Sequence, residues 1–333
     1  MSVYQLRPAP GGWGGGGGAE EGRHAPVMLA EAIDFLHARP AGRYVDGTLG
    51  DGGHARHLLE REPTLEVLGV DRDPLTLAAT ARRLRHFGRR LHTHQGTYDD
   101  LAPALAACGW TAVDGILLDL GLSSAQLDDA ARGFGFRAGG PLDMRMSAGE
   151  GPSAADLVAT LDERELAEII WRYGEEPSAR RIAAAIVAER ARRPITDATA
   201  LADLVARVRP RRGGAHPATR TFQALRIAVN RELEHLDRFL ARAFDWLAPG
   251  ARLVIIAYHS LEDRRVKRAF QAWARACTCP PRAPRCTCGG RARARILTRK
   301  VVTPAAEEIA ANRRARSARL RALEVLAAPE GAA

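Results

Sequence analysis

The chain has 333 residues, 46% of them apolar, which is enough to bury a substantial core and suggests more than one structural unit. No stretch reaches the roughly twenty consecutive apolar residues of a membrane span, and the N-terminus lacks the basic-then-apolar run of a secretory signal, so a cytoplasmic protein is expected. The net charge of +10 suits a polyanionic partner, and it is carried almost wholly by arginine, with only Lys267 and Lys300 as lysines.

Residues 1–22 contain the glycine run Gly11 to Gly18, broken only by Trp13, and too little apolar content to offset the entropy of ordering them. They are predicted to be a disordered tail. From Arg43 onward, short apolar runs alternate with helical patterns, the signature of parallel strands joined by crossover helices. Strands are predicted at Arg43 to Asp46, Leu65 to Asp71, Arg90 to Gln95, Val113 to Asp119 and Ala251 to Tyr258, with an extended pair around Arg295 to Thr303. Roughly 130 residues separate the fourth strand from the fifth, far more than a crossover needs. Within that gap Asp156 to Ala159, Leu166 to Trp171, Ile182 to Val187 and Leu201 to Val208 carry apolar residues at helical spacing, so a helical unit is inserted there. The predicted organisation is a tail at 1–22, an α/β domain in two pieces at 23–124 and 217–325, and an all-helical insertion at 125–216.

The first strand runs into Asp46-Gly-Thr-Leu-Gly50-Asp-Gly52-Gly53-His54 and then a helix. Glycines at such a turn let a ligand lie against the backbone. Gly50, Gly52 and Ala55 also satisfy the dinucleotide fingerprint, with Asp71 placed to hold a ribose, so a nicotinamide-dependent oxidoreductase is the alternative from another class. Charge favours a different ligand. Asp46, Asp51, Asp71 and Asp119 all fall at the strand ends where open α/β sheets bind, and four acids suit a sulfonium donor, S-adenosylmethionine, better than a pyrophosphate. Asp73 before Pro74 reads as a helix N-cap.

Further along, Leu204 to Arg231 has seven arginines and no acid, and Arg264 to Ala306 is again free of acids. Such blocks resemble the footprint of a phosphate backbone, although a solvated charged face has the same composition. Arg211, Arg212, Arg220 and Arg226 are the candidate RNA contacts. Cys277, Cys279, Cys286 and Cys288 form two Cys-Thr-Cys pairs that fit either a reduced surface loop or a zinc site, and no metal is expected in the chemistry. His259 and Ser260, at the end of the fifth strand, are the candidate catalytic residues, as hydrogen-bond acceptors for the group that receives the methyl; His259 fits equally a proton acceptor or a histidine that caps the next helix.

Several longer strings identify a resemblance: His24-Ala-Pro-Val, Asp46 to His54, Asp71-Arg-Asp-Pro74, Ile116 to Ser124 with Gln126-Leu-Asp, Gly140-Pro-Leu-Asp-Met-Arg-Met146, Tyr173-Gly-Glu-Glu176, His216 to Ile227, and Tyr258 to Arg264. From about His24 to Arg321 the chain resembles the ribosomal RNA small-subunit methyltransferase H family, also called MraW. The resemblance implies a class I S-adenosylmethionine-dependent methyltransferase fold, a Rossmann-like α/β sheet with an inserted all-helical domain. It implies cofactor contacts from Gly52, Gly53, His54, Asp71, Tyr98, Asp119 and Gln126. It further implies methylation of the exocyclic amine of a decoding-site cytidine in small-subunit ribosomal RNA, with an assembled small subunit as the partner. A methyltransferase acting on DNA or another RNA is the nearer alternative. Near the C-terminus, Asn312-Arg-Arg-Ala-Arg-Ser has arginine where the family usually has proline, and the glycine-rich tail is peculiar to this chain.

Overall fold

The computed structural model describes residues 25–123, 126–127, 129–136, 139–147, 149, 151–210, 216–277, 279, 285 and 290–327. The tail, Arg211, Arg212, Cys286 and Cys288 lie outside the described residues. Seven strands form one sheet in the order β3-β2-β1-β4-β5-β7-β6. They are β1 (Arg43–Asp46), β2 (Glu66–Asp71), β3 (Leu91–Gln95), β4 (Val113–Asp119), β5 (Leu247–Ala257), β6 (Ala294–Ile296) and β7 (Arg319–Val325). The first five are parallel, and β7 returns antiparallel to both β5 and β6. Strand order reverses between β1 and β4, which creates the crevice where open α/β sheets take ligands. Register aligns Asp46 with Gly69 and Leu117, and Asp119 with Ile256, so the aspartates that end these strands share one edge.

Period-two alternation splits the strand residues between two cores. Ile116, Leu118, Leu253 and Ile255 pack on one face with Phe239, Trp246 and Phe270. Leu117, Val254 and Ile256 pack on the other with Tyr44 and helices α1 (Leu29–Leu36) and α2 (Gly53–Arg61). Helices α3 (Pro74–Arg83) and α4 (Ala102–Ala107) complete the crossovers. As expected, Asp73 caps α3, accepting the Leu75 N–H at 3.0 Å with proline at the first helical position.

The gap between β4 and β5 is helical: α5 (Ala154–Thr160), α6 (Glu163–Gly174), α7 (Ala179–Arg190), α8 (Ala198–Val208), α9 (Thr219–Asn230) and α10 (Glu232–Arg242). The first two begin with full capping boxes at Ser153/Asp156 and Asp162/Glu165. These helices bury a third core of Val158, Leu166, Ile170, Ile182, Ile186, Leu201 and Val205, which also takes Ala218, Phe222 and Leu225 from α9. Its packing therefore continues beyond residue 216, where the insertion was expected to end. Helix α11 (Ser260–Trp273) follows β5, and α12 (Ala306–Ala311) precedes β7. No helix among the described residues is long and apolar enough to cross a membrane.

Strand β7 was not foreseen, and only Ala294–Ile296 of the expected extended pair is a strand, with an isolated bridge from Val302 to Leu320 beyond it. The reason lies in the charges of β7. Arg321 is paired with Asp263 at 2.6 Å, and Glu324 with Arg252 at 2.5 Å and Arg295 at 2.9 Å, so residues that read as a solvated face are neutralised on the sheet.

Candidate active site

A cavity of about 410 Å³ opens at the carboxyl ends of β1, β2 and β4. Its walls include Gly50, Gly53, His54, Asp71, Tyr98, Asp119 and Gln126, so most of the expected cofactor residues converge there. Gly52 does not line it. Its φ of +68° turns the chain into α2, and a side chain would meet Thr80 at 2.6 Å. At Gly53 a Cβ would stand 2.2 Å from Pro26. The glycine pair thus serves packing as well as ligand approach, and it explains the His24-Ala-Pro-Val string: Pro26 and Val27 form a wall of the cavity against the glycine turn.

His54 is buried, with Nε2 3.1 Å from the Val27 carbonyl. Burial lowers its pKa to about 4, so the ring is neutral and Nε2–H donates to that carbonyl. The imidazole fastens the N-terminal segment. The C-terminal segment fastens it as well, through Met28 N–H to Glu308 at 2.7 Å and Asn312 Nδ2 to the Ala25 carbonyl at 3.1 Å. Asn312 also accepts from Arg314 N–H at 3.1 Å and so caps a short 3₁₀ turn, Arg313–Ser317; the turn forms with arginine at the position where proline is usual.

Asp71 is oriented by backbone donors, Gly50 N–H at 2.8 Å and Asp73 N–H at 2.9 Å. Burial raises its pKa. Asp46 is 1% exposed; burial pushes its pKa up to about 7, and the negative charges of Asp119 and Asp71 add to the rise. For Asp119 burial raises the value to about 6, opposed by hydrogen bonds from the Tyr258 hydroxyl and the Gly121 N–H. Asp46 Oδ2 and Asp119 Oδ1 are buried and have no hydrogen-bond partner among the described residues. Asp119 lines the cavity, and an orphaned carboxylate oxygen there fits a ligand with cationic or N–H-bearing groups. Tyr98 lines the cavity and sets its ring at a steep angle to Phe239 and His235, with centroids 5.8 and 6.5 Å apart. Gln126 accepts from Ser123 N–H at 3.1 Å, which fixes the loop after β4.

The far end of the cavity holds residues that sequence reasoning placed elsewhere or missed. Arg226, expected on RNA, makes a two-pronged pair with Glu232 at 2.8 and 2.9 Å, and its side chain is only 17% exposed. Buried in that pair, it cannot reach a phosphate backbone. Arg220 is exposed and donates to the Glu175 carbonyl at 3.0 Å. Arg209 meets Glu176 at 3.2 Å and Arg231 meets Glu234 at 2.5 Å, so a block without acids in sequence is partly neutralised by acids from other segments.

His259 and Ser260 do not line the cavity. His259 caps α11: Nδ1 accepts the Glu262 N–H at 3.4 Å, while Glu262 Oε2 accepts the N–H groups of Tyr258 at 2.9 Å and His259 at 3.3 Å. The structure thus realises the capping reading of His259 and places Glu262, not His259, on the cavity wall. Ser260 donates its hydroxyl to the carboxylate of Glu175, the residue that follows α6. Glu232 and Glu262 were missed. The available signal was positional, since Glu262 stands three residues after His259, as in a capping box.

The motif Gly140 to Met146 docks the helical unit onto the sheet. Arg132 bonds Asp73 at 2.9 Å and the Met146 carbonyl at 2.6 Å, Arg72 bonds the Asn230 carbonyl at 3.2 Å, and Asn230 binds Met144 and Met146 through backbone groups at 2.7 and 2.8 Å.

Comparison with known proteins agrees with this layout. Over 307 residues the chain is 56% identical to the ribosomal RNA small subunit methyltransferase H of Thermomicrobium roseum, covering 91% of this chain and 94% of that one. It is 52% identical over 309 residues to the protein of the same name from Geobacter sulfurreducens, covering 91% and 99%. The MraW methylase family model matches residues 21–326. With the seven-stranded sheet and the acid-lined strand ends, these matches establish that the chain belongs to the MraW methylase family.

Proposed function

We propose that the protein transfers a methyl group from S-adenosylmethionine to small-subunit ribosomal RNA, and that the acceptor is the exocyclic amine, N4, of a decoding-site cytidine. The observation that carries this reading is that Asp71 and Asp119 line one cavity with Asp46 buried close behind them, and that Asp46 and Asp119 each bury a carboxylate oxygen that lacks a partner among the described residues. The names of the related proteins supply the RNA, and the recognition of an amine follows from the chemistry of the acids.

When bound, the donor supplies an electrophilic methyl on a cationic sulfur. Asp71 is positioned by two backbone N–H groups to accept from ribose hydroxyls, and Asp46 and Asp119 provide negative charge beside the glycine turn. Tyr98, Gly53 and Gln126 line the walls, Gly52 acts by turning the chain into α2, and His54 acts by holding the Val27 segment. A buried, acid-lined cavity gives these charges greater effect than they would have in water. The target base must leave its stack to enter it. Arg220, together with Arg211 and Arg212 outside the described residues, is proposed to hold the surrounding backbone, within an assembled subunit in the cytoplasm.

Incubation with isotope-labelled S-adenosylmethionine and free small-subunit RNA, assembled subunits or DNA, followed by nucleoside analysis, tests the reading. Label on N4 of one cytidine is expected. Label on DNA, on a ribose or on a ring carbon contradicts it.

A further inference from the structure

The carboxylates of Glu232 and Glu262 are not needed to build the glycine turn or to hold a ribose, yet both are nearly buried and both face the cavity. Burying ions is costly unless each has a counter-charge close by, and here Arg226 grips Glu232 with two hydrogen bonds, while His259 Nε2 stands 3.2 Å from Glu262 Oε1. We propose that Glu232 and Glu262 are the acceptors for the two N–H bonds of the target amine, with Arg226 and His259 as the positioning residues that orient them. This rests on the amine-methylation reading above and names the residues that would select the amine.

Geometry supports the pair. One ligating atom each from Glu232, His259 and Glu262 lies within 4.8 Å of the others. The two carboxylates are therefore near enough to serve one planar amine, whose two acceptors, each at about 2.9 Å, stand no more than roughly 5 Å apart. Glu232 keeps a second lone pair on each oxygen after its bonds to Arg226, and Glu262 Oε1 is free of backbone donors. Two carboxylates would also repel a keto oxygen, so the arrangement distinguishes cytosine from uracil at the position where they differ. As the amine nitrogen bonds to the methyl carbon, the C–S electron pair leaves with sulfur, and one N–H proton passes to a carboxylate oxygen and then to solvent. A methylated amine still conjugated to a pyrimidine ring is a strong acid while it is cationic, so an ordinary carboxylate suffices as its acceptor.

The same three residues have the spacing of a metal cluster, but two features oppose a cation. His259 Nδ1 is engaged by the helix-capping N–H while its Nε2 faces Glu262 Oε1 at 3.2 Å, and Arg226 already balances Glu232. The groups facing Glu262 are His259, Arg226, Glu232, Tyr258, Tyr98 and Asp119. Burial raises its pKa, but the charge and hydrogen bond of His259, with the charge of Arg226, outweigh burial and hold it below the usual value.

The test compares Glu232→Gln and Glu262→Gln with the parent for labelled S-adenosylmethionine binding, thermal melting and single-turnover methylation of small-subunit RNA. The expected result is cofactor affinity within about threefold of the parent and methylation slower by roughly 100-fold or more. His259→Asn keeps a capping side chain and should shift the acid limb of the pH–rate profile to higher pH, a change that a purely structural role would not produce. Folded variants that methylate within threefold of the parent overturn the proposal, as do variants that lose cofactor binding, which would assign these acids to the donor. A divalent cation that raises the melting temperature of the parent but not of Glu262→Gln overturns it in favour of a metal site. If either variant fails to fold, the parent decides: RNA with cytidine at the target should bind more tightly than RNA with uridine there, and equal affinities overturn the proposal. A parent that labels no RNA amine defeats the functional reading itself, an outcome distinct from an active parent with active variants.

Discussion

The two ends of the cavity solve opposite electrostatic problems. Beneath the glycine turn Asp46 and Asp119 are buried with little counter-charge, and burial lifts them to about 7 and about 6. At the α9–α11 end Glu232 and Glu262 have Arg226 and His259 beside them. The first end favours a ligand that brings positive charge, because such a ligand relieves the cost of ionising the aspartates. The second is already balanced and presents fixed lone pairs, which suits a neutral group with N–H bonds. One cavity can therefore receive a cationic donor and a neutral acceptor without exchanging their places.

The comparison can be broken first at Asp71. Asp71→Ala removes a carboxylate anchored by two backbone N–H groups, and calorimetry should show cofactor affinity falling by about 100-fold, as expected for loss of charge-assisted hydrogen bonds. An unchanged affinity would remove Asp71 from the donor's end. Next comes Gly53→Ala, which drives a methyl group into Pro26 and should cost about 1–3 kcal/mol in a denaturant melt. A smaller effect is expected for Asp46→Asn. The folded value of Asp46 lies above its ordinary 3.8, so the folded chain binds this proton more tightly than the unfolded one and loses stability as pH rises from there to about 7. The ligand-free variant should melt a few degrees higher than the parent at pH 8 and no higher at pH 4. The smallest effect belongs to the RNA surface: Arg220→Ala should weaken RNA binding a few-fold and reduce the salt slope by about one. Arg226→Lys, inside its buried pair, should leave that slope unchanged.

Much of the donor's end was legible in the sequence because it is local. Strand β4 was placed at its observed limits by an apolar run that is interrupted only by Asp114 and ends in Asp119, and the glycine turn was marked by residues that only a tight strand-to-helix connection requires. The balanced end is assembled from α9, α10 and the start of α11, and its members meet only after the helical unit docks through Arg72, Arg132 and Asn230. Arg226 illustrates the difficulty. In sequence it belongs to a run without acids, whereas in space its partner is Glu232, one turn and a half further along and just outside that run. His259 shows the same effect at shorter range: a histidine at a strand end reads equally well as a base or a cap, and the hydrogen bonds that decide it come from the first turn of α11. Strand β7 escaped because its arginines find their acids on neighbouring elements.

The central claim is that the uncompensated aspartates select a positively charged donor. Calorimetric titration with S-adenosylmethionine and with S-adenosylhomocysteine, which lacks the sulfonium charge, tests it most directly when run from pH 5 to pH 8. Ionisation of Asp119 and Asp46 through about 6 and about 7 should strengthen binding of the sulfonium compound more steeply than that of the neutral thioether, so that the two affinities diverge as pH rises. Parallel curves, or binding of a nicotinamide dinucleotide in place of either compound, would contradict the account.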